Sequence, residues 1–72
     1  MELMKVQSSW VDAIAYDGGD LFVRYKDKEG KPTVLCKYEG ITLDQWIDFL
    51  GAPSKGQWIH ANIIKHPYTI VA

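Results

Sequence analysis

Ser54-Lys55-Gly56 sets a hydroxyl, an ammonium and a glycine one residue ahead of the apolar pair Trp58-Ile59, and no other segment of the chain is as well suited to holding an anion. If a helix begins there, its unpaired N–H groups point at whatever precedes it, and the glycine lets backbone approach a phosphate closely. Ser54 with Gln57 three residues on also reads as a capping box, which explains both residues without any ligand. Trp58, four residues after Ser54, is placed either to stack a base over such a phosphate or to fill the core. Toward the other terminus Ser8-Ser9-Trp10 offers two hydroxyls and an aromatic ring at a strand start, and Arg24 and Lys37 project from strands as further cations.

Other chemistries fit less well. His60 and His66 are six residues apart instead of the four of a helical metal pair, and no carboxylates stand at ligand spacing, so neither a metal nor a cofactor is expected. Cys36 lies between Leu35 and Lys37, where a small apolar filler is the ordinary role and no base is spaced to activate it. Asp44 suits the start of a helix dipole and Asp48 its solvent side. Asp17-Gly18-Gly19-Asp20 is too acidic to welcome phosphate. The chain is expected to bind and not to catalyse.

The elements that position these groups are read from punctuation and period. The 72 residues make one domain, 1–72, of a size at which folding buries only about 60% of the chain's surface. At roughly 0.05–0.15 kcal/mol per residue its stability is about 4–11 kcal/mol, so self-association would matter, and a homo-oligomer is expected. Trp10 to Tyr16 and Leu21 to Tyr25 flank Asp17-Gly18-Gly19-Asp20, which predicts a hairpin. Alternation puts Leu21, Val23 and Tyr25 on one face and Phe22 and Arg24 on the other, a face open to a partner. Lys26 to Lys31 reads as a solvated loop and Pro32 to Tyr38 as a third strand. Then the period changes. Thr42 and Gln45 form a capping box, and Leu43, Trp46, Ile47 and Leu50 share one helical face before Gly51 and Pro53, with Trp46 assigned to the core. A second short helix follows Ser54, with Trp58, Ile59, Ala61 and Ile63 as its apolar residues, and stops near His66-Pro67. Tyr68 to Ala72 is either a last strand or a docking segment. The expected fold is α+β: a small three- to four-stranded antiparallel meander followed by two short helices packed on one face.

Eight Lys or Arg against nine Asp or Glu leave a net charge of −1, without the long-range field that gathers nucleic acid or an anionic membrane. Any phosphate contact must therefore be local. A single cysteine fits a reducing compartment. Met1 to Val6 lacks the apolar run of a signal peptide and no stretch approaches membrane-spanning length, so a cytoplasmic protein with no membrane partner is expected.

Taken together the motifs resemble the KTSC family, short bacterial and phage domains also found at the C-terminus of some lysyl-tRNA synthetases. The resemblance runs almost end to end: Val6, Ser8-Ser9, Val11, Ile14 and Tyr16-Asp17; then Leu21, Val23 and Tyr25; then Ala52, Ser54-Lys55-Gly56, Trp58, Ile63 and Tyr68. Of the family's Tyr-x-Tyr element, Cys36-Lys37-Tyr38 keeps only the second tyrosine, and His60 stands where asparagine is usual. The resemblance implies the compact α+β fold and, from the synthetase context, an RNA-binding role. The short chain looks like the single-domain phage members, which would place it in the host cytoplasm.

The near-neutral charge and the lost tyrosine turn the expectation from RNA toward a small anionic nucleotide. The function expected is thus a non-catalytic, oligomeric sponge, phage-encoded, that sequesters a cyclic or phosphorylated nucleotide immune signal. Its candidate ligand-binding residues are Ser8, Ser9, Trp10, Arg24, Ser54, Lys55, Gly56 and Trp58. RNA binding and a protein-interaction module using the Ile70-Val71 tail are the alternatives.

Overall fold

The computed structural model describes residues 2–72, in which the chain runs β1 (Met4–Lys5), β2 (Val11–Asp17), β3 (Asp20–Lys26), β4 (Pro32–Tyr38), α1 (Leu43–Gly51), α2 (Lys55–Asn62) and β5 (Tyr68–Ile70). Gly18 and Gly19 take φ of 57° and 94°, the positive values that a two-residue hairpin turn needs to match the twist of its strands. Asp17 and Asp20 therefore face each other at the end of the β2–β3 ladder. The next turn is closed by Asp27, whose Oδ1 accepts from the N–H groups of Glu29 at 2.9 Å and Lys31 at 3.0 Å.

All neighbours in the sheet are antiparallel and follow chain order, β1-β2-β3-β4-β5. The sheet has five strands, not three or four. β1 is only two residues long and exposed, so no alternation announces it; Lys5 Nζ fastens it to the buried Asp12 Oδ1 at 2.9 Å. The tail is a strand: β5 pairs with β4, and Val71 and Ala72 extend the pairing through backbone bonds to Leu35.

Both helices cover the face that carries Ile14, Leu21, Val23 and Tyr25, burying Phe49, Trp58, Ile59 and Ile63 against it. Phe22, Arg24, Leu35, Lys37 and Thr69 alternate onto the opposite face. α1 has the full capping box, with Gln45 N–H donating to Thr42 Oγ1 and Thr42 N–H donating to Gln45 Oε1. α2 has only half of the expected one: Gln57 N–H donates to Ser54 Oγ at 3.2 Å.

The apolar stripe marked by periodicity on α1 faces outward. Leu43, Ile47 and Leu50 are exposed, whereas Phe49 is completely buried and Trp46 is half-buried. Aromatic packing decides the rotation: Trp46 stacks on Tyr16 with ring centroids 5.3 Å apart, and Phe49 lies 4.6 Å from Trp58. A hydrogen bond of 2.6 Å from the Tyr16 hydroxyl to the Ile41 carbonyl fixes the entry to the helix. On α2, Ala61 is also exposed, unlike Trp58, Ile59 and Ile63.

Candidate functional site

Ser8 Oγ accepts from the N–H groups of both Trp10 and Val11 at 3.1 Å, a tight turn that fixes how the chain enters β2. The turn lays the Trp10 indole against Tyr25, with ring centroids 4.6 Å apart, and against the His60 ring at 5.1 Å. Gly56 meets the same indole, and a Cβ there would lie 3.4 Å from its Cε3. Ser8, Trp10 and Gly56 thus converge, and the contact that unites them is packing.

The other sequence-selected residues do not join them as an anion site. Lys55 Nζ donates to the carbonyls of Leu50 at 3.1 Å and Ala52 at 2.8 Å, where it caps the end of α1. It brings a positive charge to the C-terminal end of a helix whose own last turn has no basic residue. Trp58 is buried against Phe49, and its indole N–H donates to Asp48 Oδ2 at 2.7 Å, so Asp48 has a partner and most of the ring is taken up by packing. Arg24 lies on the opposite face of the sheet from Tyr25 and Trp10, because the two residues are neighbours in a strand. Arg24 shares that face with Lys37. Ser9 is exposed beside the Ser8 turn.

A different constellation forms where the helices stop covering the sheet. Tyr25, Cys36 and Tyr38 make the buried floor of a cleft of about 320 Å³, Trp10 flanks it half-buried, and the exposed Val34, Ile64, Tyr68 and Ile70 rim it. Tyr38 and Tyr68 are cross-strand partners with ring centroids 5.8 Å apart. No lining residue carries a formal charge. The hydroxyls of Tyr25 and Tyr38 are 2.6 Å apart in a buried hydrogen bond. Burial pushes both phenols above their ordinary range; the mutual bond adds to the rise at Tyr25 and opposes it at Tyr38. Both are therefore neutral hydroxyls at physiological pH. Burial likewise pushes the Cys36 thiol up.

A crystal structure of a KTSC domain protein from Yersinia pestis matches this chain with a TM-score of 0.83, over 99% of this chain and 97% of that one, at 23% identity. The chain has the KTSC fold. No protein-family model and no curated protein sequence matches it. Within the KTSC fold the Ser-Lys-Gly segment here is a junction: Ser54 caps one helix, Lys55 ties off the other, and Gly56 admits Trp10. Cys36, standing where the KTSC resemblance leads to a tyrosine, lies on the cleft floor, and its small side chain leaves room that a phenol would occupy.

Of the cleft residues, Trp10 is the one among the ligand-binding candidates expected from the sequence, and Ile70 enters there only as part of a docking tail. The alternation of Val34, Cys36 and Tyr38 on the face of Tyr25 was available as a signal. Tyr68, Ile70 and Ile64 join only through the β4–β5 register and the end of α2, which no local pattern specifies.

Proposed function

We propose that this protein is a non-catalytic binder that holds the flat base of a small nucleotide in the aromatic cleft. One observation carries the reading: an indole and three phenols converge on a single uncharged concavity beside a buried hydroxyl pair. Aromatic faces stack on any base, at about 1–3 kcal/mol each. Of the two hydroxyl protons of Tyr25 and Tyr38 one lies between them, which leaves one donor and free lone pairs for the edge of a ligand. About 320 Å³ is at the small end of ligand pockets and suits one base rather than two.

The surroundings favour the same ligand class. An adjoining hollow shares Ile64 with the cleft and is lined by His60, Asn62 and Lys65, polar groups of the kind that hydrogen-bond a phosphate. A wider hollow of about 490 Å³ beside Tyr16 and Trp46 is edged by Glu2 and Asp17, whose carboxylates repel anions. A protonated, buried Cys36 is a poor nucleophile, which supports binding over catalysis. A cleft without lysine or arginine offers little to an RNA backbone. On this reading, sequestration of a cyclic or phosphorylated nucleotide signal is the biological role.

Titration calorimetry against nucleoside monophosphates, cyclic mononucleotides and cyclic dinucleotides tests this. At least one should bind more tightly than millimolar, with modest salt dependence, and Tyr68→Ala should weaken it about tenfold. Millimolar or absent binding across the panel, or full affinity in Tyr68→Ala, would refute the reading.

A further inference from the structure

We infer that a second copy of this chain pairs with the free edge of β5, two-fold related through Thr69, and that this joins the two clefts into one site. The second part rests on the cleft's being the ligand site, as proposed above.

The two edges of the sheet are unlike. β1 is two residues long and contains Lys5, both devices that blunt an edge against pairing. β5 and its extension, Tyr68-Thr69-Ile70-Val71-Ala72, contain no charge and no proline. Tyr68, Ile70 and Val71 are exposed along it. An unprotected apolar edge is a template for another strand.

The hydrogen-bond alternation selects the occupant and its register. Leu35 exchanges backbone bonds with Val71 and Ala72, so the next bonded pair along the ladder is Lys37 with Thr69. The N–H and C=O groups of Tyr68 and Ile70 consequently point away from β4. Those two residues are symmetric about Thr69. A two-fold axis through Thr69 therefore sets Tyr68 against the partner's Ile70 and Ile70 against the partner's Tyr68, giving four backbone hydrogen bonds. Thr69 then faces the partner's Thr69 in the close, non-bonded position, where paired threonines are favourable. The strand is self-complementary, which an unrelated strand need not be.

Tyr68 and Ile70 also rim the cleft. Pairing places the partner's Ile70 beside Tyr68 on the same face, so the partner closes the open side of each cleft. The two clefts abut with no strand between the two β5 elements. One base per cleft then becomes two bases per dimer, in a symmetric site.

Sedimentation equilibrium and titration calorimetry on three proteins test this. The wild type should have twice the chain mass at tens of micromolar. Ile70→Pro removes an outward N–H and no bond to β4, and should have the single-chain mass. Lys37→Thr with Thr69→Lys exchanges one cross-strand pair, which keeps the chain's charge and stays off the cleft while setting two lysines face to face at the axis. It should also have the single-chain mass, unfold cooperatively like the wild type, and bind its best nucleotide about tenfold more weakly. A monomeric wild type, including one that instead takes up a strand peptide, would overturn the pairing and leave the cleft reading standing. A dimer that survives both variants would also overturn it, by locating the contact elsewhere, such as the Leu43-Ile47 stripe. A dimer lost in both variants, with no nucleotide bound by any of the three, would uphold the pairing and refute the cleft. Unchanged affinity in the monomeric exchange variant would overturn the joining of the clefts.

Discussion

Replacing Lys55 by Met separates two roles that the sequence leaves superimposed, a cation for a ligand and a cap for a helix. Met keeps the aliphatic stem but removes the ammonium, and with it the bonds to the carbonyls of Leu50 and Ala52. A hydrogen bond to a charged group contributes about 1.5–3 kcal/mol when well shielded, and a cation at a helix C-terminus about 0.3–1 kcal/mol. Lys55 is half-buried and its bond to Leu50 is exposed, so solvent screening takes the sum toward the lower end, about 1–2 kcal/mol. For a domain of this size each kcal/mol moves Tm by about 4–8 °C, and the drop should be about 5–15 °C. Thermal unfolding followed by circular dichroism reads it directly, and nucleotide affinity in the folded variant should be unchanged. A Tm within about 2 °C of wild type, together with lost nucleotide binding, would refute the capping argument and return Lys55 to the ligand.

Three further outcomes follow from the contacts around the helices and the cleft. Asp48→Ala should cost about 1 kcal/mol in urea unfolding, by removing the acceptor of the Trp58 indole N–H, and Asp48→Asn should cost less. Gly56→Ala should be tolerated or stabilise by about 0.5 kcal/mol, since its Cβ would sit at ordinary contact distance from Trp10, whereas Gly56→Leu should push the indole aside, destabilise by about 1–3 kcal/mol and weaken nucleotide binding. The raised phenols of Tyr25 and Tyr38 predict alkaline unfolding: their contribution is complete below the ordinary tyrosine range and is lost as pH rises above about 10, at up to about 1.4 kcal/mol per pH unit for each phenol. Tyr25→Phe, which removes one of the two phenols, should therefore make stability fall less steeply with pH above about 10, measured by urea unfolding at a series of pH values.

Local chemistry was legible in the sequence and side-chain destination was not. The Gly18-Gly19 turn, the Thr42-Gln45 box and the strand from Pro32 to Tyr38 each depend on a few adjacent residues, and each is found where those residues place it. α1 shows the opposite case: its aliphatic stripe is a valid helical face, but a nine-residue helix can be turned by two aromatic contacts, and Phe49 and Trp46 turn it. The candidate site divides in the same way. Ser54, Lys55 and Gly56 have the types expected of an anion site, yet Lys55 finds carbonyls and Gly56 finds an indole. Neither partner lies within the motif. The cleft was hidden because its walls come from β3, β4, β5 and the residues flanking β2 and α2, brought together only by tertiary register.

Because strand order repeats chain order, each strand from β2 to β4 can zip onto its immediate predecessor as it is synthesised, in steps of the microsecond hairpin class. β5 is the exception. It reaches β4 only after both helices have intervened, and so carries the largest loop-closure entropy of any ladder in the sheet. Until residues 68–72 leave the ribosome, the strand from Pro32 to Tyr38 is itself a bare edge, displaying the backbone of Leu35 and Lys37. The same short tail that ends the sheet thus acts first as a late intramolecular seal on a nascent chain.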